Sequence, residues 1–155
     1  MERTLVLLKP DAVQRGLLGE ITARFERKGL KIVGMKMMQL TDSLLDEHYA
    51  HLSHLPFFGE IKAFMMLTPV IAVCLEGVNS VETVRRLCGV TKSWEADPGT
   101  IRGDYGMSIQ ANLVHASDSL ETAEKEVPRF FSDSELFDYD YLRLPYLYTK
   151  KEREG

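Results

Sequence analysis

Val70-Ile71-Ala72-Val73-Cys74-Leu75 is a continuous apolar run of β-branched character, which suits a strand buried in the middle of a sheet. Working toward the C-terminus, Asn79 or Ser80 caps a helix with Val81, Val84 and Leu87 on its inner face, and Gly89 stops it. From Val90 to Gly106 periodicity is weak and Pro98 intervenes; a loop of that length in a compact domain usually serves function. Ile109 to His115 reads as the last main strand. Asp118 with Glu121 resembles a capping box that opens a helix through Val127. Working toward the N-terminus, a short helix from about Pro56 carries Phe58, Ile61, Phe64 and Met65. Before it lies a helical stretch capped by Thr41-Asp42 and carrying Leu44, Leu45, His48, Tyr49 and Leu52. Leu30 to Leu40 reads as a long strand. Leu18, Ile21 and Phe25 recur at helical spacing until Gly29. Arg3 to Leu8 is a buried strand that feeds the turn Lys9-Pro10-Asp11.

Strand, helix, strand, helical pair, strand, helix, strand is a βαββαβ order with an inserted helical hairpin. It predicts the ferredoxin-like α+β class: a four-stranded antiparallel sheet with helices on one face. No repeat, linker or low-complexity tract divides the chain, so residues 1–155 read as one domain.

Composition narrows the function. The 155 residues are 45% hydrophobic and 27% charged, ordinary for a globular protein, with a net charge of -4 that argues against a general nucleic-acid binder. No apolar stretch is long enough to span a bilayer, and a strand-like run by Thr4 leaves no room for a signal peptide. Cys74 and Cys88 lack CxxC spacing and read as reduced, buried thiols of a cytoplasmic protein. His48, His51 and His54 are spaced by three, a possible metal face. Pro56 soon ends that segment, and solvated helix residues are the plainer reading.

Chemistry concentrates in Asn112-Leu113-Val114-His115-Ala116-Ser117-Asp118-Ser119. His115 closes an apolar run and precedes a helix N-terminus, so its imidazole has polar neighbours and a turn behind it. A neutral imidazole nitrogen is a competent nucleophile toward phosphorus near pH 7, and the product remains reactive enough to pass the group on. Its second ring nitrogen needs a partner to fix the tautomer; Glu126 on the next helix is the candidate, with Ser117 in support. A phosphoryl group in transit also needs fixed cations and donors. Lys9, Arg85 and Arg102 stand in segments able to converge, and the Thr91 hydroxyl is available beside them. Asp11 has two options, pairing with Lys9 or capping the turn. Neither GxxxxGK[ST] nor GxGxxG occurs, and no acidic metal loop, so a divalent ion would arrive on substrate phosphates.

These residues resemble the nucleoside diphosphate kinase family. The match runs from Arg3 to about Phe131 through Lys9-Pro10-Asp11-Ala12-Val13-Gln14-Arg15-Gly16, Glu47-His48-Tyr49, Pro56-Phe57-Phe58, Pro98-Gly99-Thr100-Ile101-Arg102-Gly103-Asp104 and Asn112 through Ser119. The resemblance implies ping-pong transfer of a γ-phosphoryl group, mainly from ATP, to nucleoside diphosphates through a phosphohistidine at His115. It implies that Lys9, Tyr49, Arg85, Thr91, Arg102 and Asn112 contact phosphates, ribose or the reacting histidine. It further implies that Phe57 stacks on the base with Ile109 opposite, and that Mg2+ comes with the nucleotide. A homo-oligomer, usually a hexamer and sometimes a tetramer, is implied too. Ala116 departs from the glycine of many members. The tail beyond about residue 132, rich in tyrosine, matches poorly and suggests packing on the body or a neighbouring subunit.

Overall fold

The computed structural model describes residues 1–155. Strands β1 (Glu2–Leu8), β2 (Lys31–Met38), β3 (Val70–Gly77) and β4 (Val114–Ala116) form one antiparallel sheet in the order β2-β3-β1-β4. Val6 pairs with Val73, and Leu7 pairs with His115 on the other side. The two apolar runs that flank each other, β1 and β3, are the sheet's interior, as continuous hydrophobicity requires.

The helices are α1 (Pro10–Gln14), α2 (Leu18–Lys28), α3 (Asp42–His48), α4 (Phe58–Met65), α5 (Ser80–Cys88), α6 (Ile101–Tyr105), α7 (Leu120–Phe130), α8 (Leu144–Leu147) and α9 (Lys150–Glu154). Both faces of the sheet are covered, whereas the sequence pattern placed helices on one. Side chains alternate along a strand, so Val6 and Leu8 meet Ile21 and Phe25 of α2 and Val84 of α5. Leu5 and Leu7 point the other way, toward Leu45 of α3, Met65 of α4 and Val127 and Phe130 of α7. The βαββαβ unit supplies the first layer. The inserted pair and α7, outside that unit, supply the second. Fully burying each large side chain contributes roughly 1.5–3 kcal/mol, so neither face of the sheet is left to water.

Helix ends mostly follow the sequence, with informative exceptions. Thr41 caps α3 by accepting from Leu44 N, and Gly29 stops α2 at φ 106°, a left-handed conformation that penalises other residues. Asn79 is itself left-handed and gives α5 no side-chain cap; the Glu2 carboxylate accepts from Val81 N instead, at 3.3 Å. Ser119, not Asp118, caps α7 by accepting from Thr122 N, and the helix runs on to Phe130 through Pro128. Within the long loop, Thr100 caps the five-residue α6, too short to leave a periodic signature.

The C-terminal tail touches the body at defined points. Phe137 N donates to Val33 O at 2.8 Å and the Tyr139 hydroxyl to Ile32 O at 2.6 Å. The Tyr148 hydroxyl accepts from Val78 N, while Leu147 sits so close to Gly29 that an added Cβ would lie 2.6 Å from its Cδ2. Tyr146, by contrast, faces solvent.

Candidate active site

The expected strand over 109–115 is only three residues long, and the reason builds the site. In a continuous strand, Asn112 and His115 would face opposite sides, because side chains alternate with period two. Leu113 adopts φ 75°, a left-handed conformation that breaks the alternation. The β1–α1 turn holds it there: Lys9 N donates to Leu113 O at 2.8 Å, and Leu113 N donates to the Asp11 carboxylate at 3.0 Å. Asp11 thus takes neither expected option: it forms no ion pair with Lys9 and caps nothing in its own turn, but holds the Leu113 turn from across the chain. Upstream, Ser108 Oγ accepts from Gln110 N and Ala111 N, which removes those donors from any sheet ladder. Asn112 and His115 consequently open on the same cavity.

That cavity measures about 640 Å³ and lies between the α3–α4 pair, α5 and the 89–118 segment. His115, Lys9, Tyr49, Phe57, Arg85, Thr91, Arg102, Ile109 and Asn112 all line it. Every cavity residue singled out in the sequence is therefore brought together. Glu126 and Ser117 stand behind His115, as support.

At the cavity's deep end the side chains cross-link one another. Lys9 Nζ donates to Gln110 O at 2.6 Å and Asn112 Oδ1 at 2.9 Å. Asn112 Nδ2 donates to the carbonyls of Thr91 and Ile109. Arg102 donates from Nε to Asn112 O, from Nη1 to Gly89 O and from Nη2 to Val114 O at 2.6 Å, stitching three segments together. Its remaining N–H groups are left for a ligand. Burial pulls Lys9 down to about 8, opposed by Asp11 and assisted by Arg102. Burial likewise lowers Arg102 from its ordinary value, which starts high enough that the guanidinium stays charged. Arg85 adds an exposed cation from α5. Buried cations beside an open cavity in an acidic protein make a local anion site.

His115 Nε2 faces both oxygens of Glu126, at 3.2 and 3.0 Å, and Ser117 Oγ donates to the same carboxylate at 2.6 Å. Burial works to raise Glu126, yet the His115 hydrogen bond and charge, together with Ser117, hold it down at about 2. The carboxylate is ionised and so placed to accept an N–H from Nε2, and in that tautomer a neutral imidazole offers Nδ1 as its lone pair.

Sequence reading missed one neighbour. His48 was expected on a solvated face; its side chain is buried, with its ring centroid 4.5 Å from that of His115. His51 and His54 are exposed, so the three histidines do not converge. The signal lay in the spacing: Leu45 and His48 are one turn apart on α3 and share its buried face. Burial, then the neighbouring His115, pushes His48 down to about 3, so it is neutral at pH 7. Its Nδ1 accepts from Arg129 Nη1 at 3.1 Å, and its Nε2 has no partner.

Comparison with known proteins agrees with this geometry. The family model described as nucleoside diphosphate kinase matches residues 2–136. The nucleoside diphosphate kinase of Parabacteroides distasonis is 59% identical over 152 residues, 98% of this chain and 99% of that protein. That of Thermoplasma volcanium is 51% identical over 141 residues, covering 91% and 96%. Among solved structures, a halophilic nucleoside diphosphate kinase from Halobacterium salinarum in complex with CDP superposes with a TM-score of 0.93. It is 45% identical, with 96% of this chain and 99% of that one covered. No helix here is long and apolar enough to cross a membrane.

Proposed function

Because this chain belongs to the nucleoside diphosphate kinase family and transfers phosphoryl groups between nucleotides, we propose that His115 carries the group in a two-step exchange. The observation behind this reading is the pairing of His115 Nε2 with Glu126 in a cavity where Lys9, Arg102 and Asn112 converge.

In the first half-reaction Nδ1 of His115 attacks the γ-phosphorus of a triphosphate, mainly ATP, and the bond to the β–γ bridging oxygen breaks. The diphosphate leaves. A second diphosphate then takes the group from Nδ1 by the reverse path, which restores the imidazole. Glu126 accepts the Nε2 proton throughout and stabilises the positive charge that develops on the ring, much as a carboxylate orients a catalytic histidine elsewhere. Ser117 fixes the carboxylate in turn. Lys9 and the free N–H groups of Arg102 neutralise the equatorial oxygens, with Arg85 and Thr91 on the flanking phosphates. Asn112, pinned at both ends of its amide, holds Lys9 in place, and Tyr49 closes the wall beside His115.

Phe57 and Ile109 are the base platform. The Halobacterium relative was solved with CDP; a cytosine or any other base offers a π-face, so stacking tolerates all of them.

The residues fit Mg2+ carried by the nucleotide. Glu60 and Asp118 are the only carboxylates on the cavity wall, which suits an ion that keeps waters and phosphate oxygens as ligands. Asp118, three residues past His115, is the side chain that would meet its hydration shell. When bound, the ion neutralises phosphate charge.

The proposal extends to a cytoplasmic homo-oligomer, hexamer before tetramer, built from one domain with an extension from about residue 132. Exposed Val90, Trp94 and Met107 in the long loop support subunit contacts, and sedimentation counts the subunits. The test of mechanism is incubation with γ-labelled ATP and Mg2+. Expected are an acid-labile, base-stable phosphoprotein, chase of label into GTP on adding GDP, and loss of both in His115→Ala. Transfer by His115→Ala at the wild-type rate defeats the reading.

A further inference from the structure

We propose that His48, His115 and Glu126 form a second, inhibitory cation site, selective for Zn2+ over Mg2+, that shuts off the nucleophile. The inference rests on the histidine role proposed above for its consequence, but not for the binding itself.

One ligand atom from each of the three side chains lies within 4.8 Å of the others. Glu126 Oε2 is 3.0 Å from His115 Nε2 and 3.4 Å from His48 Nδ1. Zinc bonds of about 2.0–2.2 Å at tetrahedral angles require ligand atoms roughly 3.3–3.5 Å apart. Two of the three edges are therefore close to size before any ion arrives, and the third, between the two imidazole nitrogens, lies within 4.8 Å and closes as the rings turn onto the ion. Two imidazoles and one carboxylate also match the three-ligand set that Zn2+ takes with a fourth position open, here toward the cavity. Mg2+ prefers oxygen and gains little from this set.

His48 is oriented for the purpose. Its Nδ1 lone pair already points at a cation, the Arg129 guanidinium 3.1 Å away, and its unpartnered Nε2 carries the proton. Arg129 also donates from Nε to Glu47 at 3.2 Å, an ion pair on the outer surface that it retains when Nη1 is displaced. His115 is the one partly exposed member of the trio, so the ion enters from the nucleotide cavity.

The chemical effect is a proton relocation. A neutral imidazole bears one N–H, and in the resting site it lies on Nε2 toward Glu126. A metal bonded to Nε2 takes that lone pair, and the proton moves through solvent to Nδ1. The nitrogen proposed to attack phosphorus is then an N–H with no free pair. Glu126, now a metal ligand, no longer stabilises the ring.

The experiment titrates metal-free protein with Zn2+ against a colorimetric chelator, without nucleotide. Expected are one ion per chain, at least a tenfold loss of affinity in His48→Ala and in Glu126→Gln, and no change in a His51→Ala/His54→Ala double variant. In wild-type protein, which avoids any question of variant folding, ring resonances of His48 and His115 alone should shift among the four histidines. Phosphorylation by ATP at saturating Mg2+ should stop with Zn2+ and return with chelator. Binding that survives both single variants, or shifts confined to His51 and His54, overturns the site. Zinc binding with the expected shifts in a protein whose His115 never takes phosphate would sink the proposed mechanism and leave the metal site standing.

Discussion

The two ends of the cavity are built on opposite plans. At the His115 end, Lys9, Arg102 and Asn112 are 8%, 9% and 4% exposed, and each is held by hydrogen bonds to backbone or to another member. At the other end, Phe57 and Ile109 are 47% and 51% exposed and stand unsupported against solvent. Fixed donors are what charge migration needs, since a group that must reorganise during transfer stabilises it less. An open apolar platform is what tolerance of different bases needs. On the proposed reading, rigidity is concentrated where a bond would change and withheld where the ligand would vary.

Arg102→Ala attacks the rigid end most severely. We expect kcat to fall about 10²–10³-fold, and stability to drop by at least about 2 kcal/mol, because the carbonyls of Gly89, Asn112 and Val114 lose their donor together. Rapid-quench turnover and a urea midpoint read the two losses. Arg102→Lys should recover little, since an ammonium cannot reach three carbonyls and a phosphate at once.

The same end should also carry the acid sensitivity. His48 folds with its pKa pushed down to about 3, so the unfolded chain binds its proton first. Stability is then present above the ordinary histidine value, near 6.5, and lost as pH falls toward 3. Glu126, held at about 2, adds stability above its ordinary value of roughly 4.5 that is lost as pH falls through 2. The signs agree, so the two losses reinforce each other on acidification. Thermal melts from pH 7 to 3 should show the decline, and His48→Gln should flatten its upper part.

Lys9 governs the alkaline side. With its pKa near 8 in the free protein, kcat/KM should fall about tenfold per pH unit above that value as the ammonium is lost. A profile flat to pH 9.5 would remove Lys9 from phosphate binding.

Phe57→Ala, at the open end, should weaken every nucleotide by about tenfold, with kcat nearly unchanged. Ile109→Ala should cost only about two- to threefold. A Phe57→Ala penalty confined to purines would mean that the platform reads bases rather than tolerating them.

The sequence was most legible where one force acts alone. Val70–Leu75 and β1 are buried on both faces, so unbroken hydrophobicity identifies them without help from neighbours. Gly29 ends α2 for a purely local conformational reason. Legibility failed where distant groups decide. The strand expected over 109–115 is undone by Asp11, about a hundred residues away, which holds Leu113 in its turn. The cap of α5 comes from Glu2. Ser119 and Asp118 are adjacent and similar as caps, and the Ser119 hydroxyl bonds both the backbone and the side chain of Thr122. As for the site, residue types and family motifs named the wall residues proposed to hold phosphate, ribose and base, but not Glu60, and Asp118 only as a helix cap. His48 escaped because three evenly spaced histidines resemble a solvated face, although Leu45 already marked its side of the helix as inward.

Gly29 has a broader implication. It reverses the chain after α2, and it also receives Leu147 from near the opposite terminus at a separation no larger residue allows. One position therefore answers to two unrelated demands. An alanine there would strain the reversal and evict the anchor of the last helices in the same stroke. Truncating the tail would lift only one demand, so the glycine should prove hard to replace even in a shortened chain.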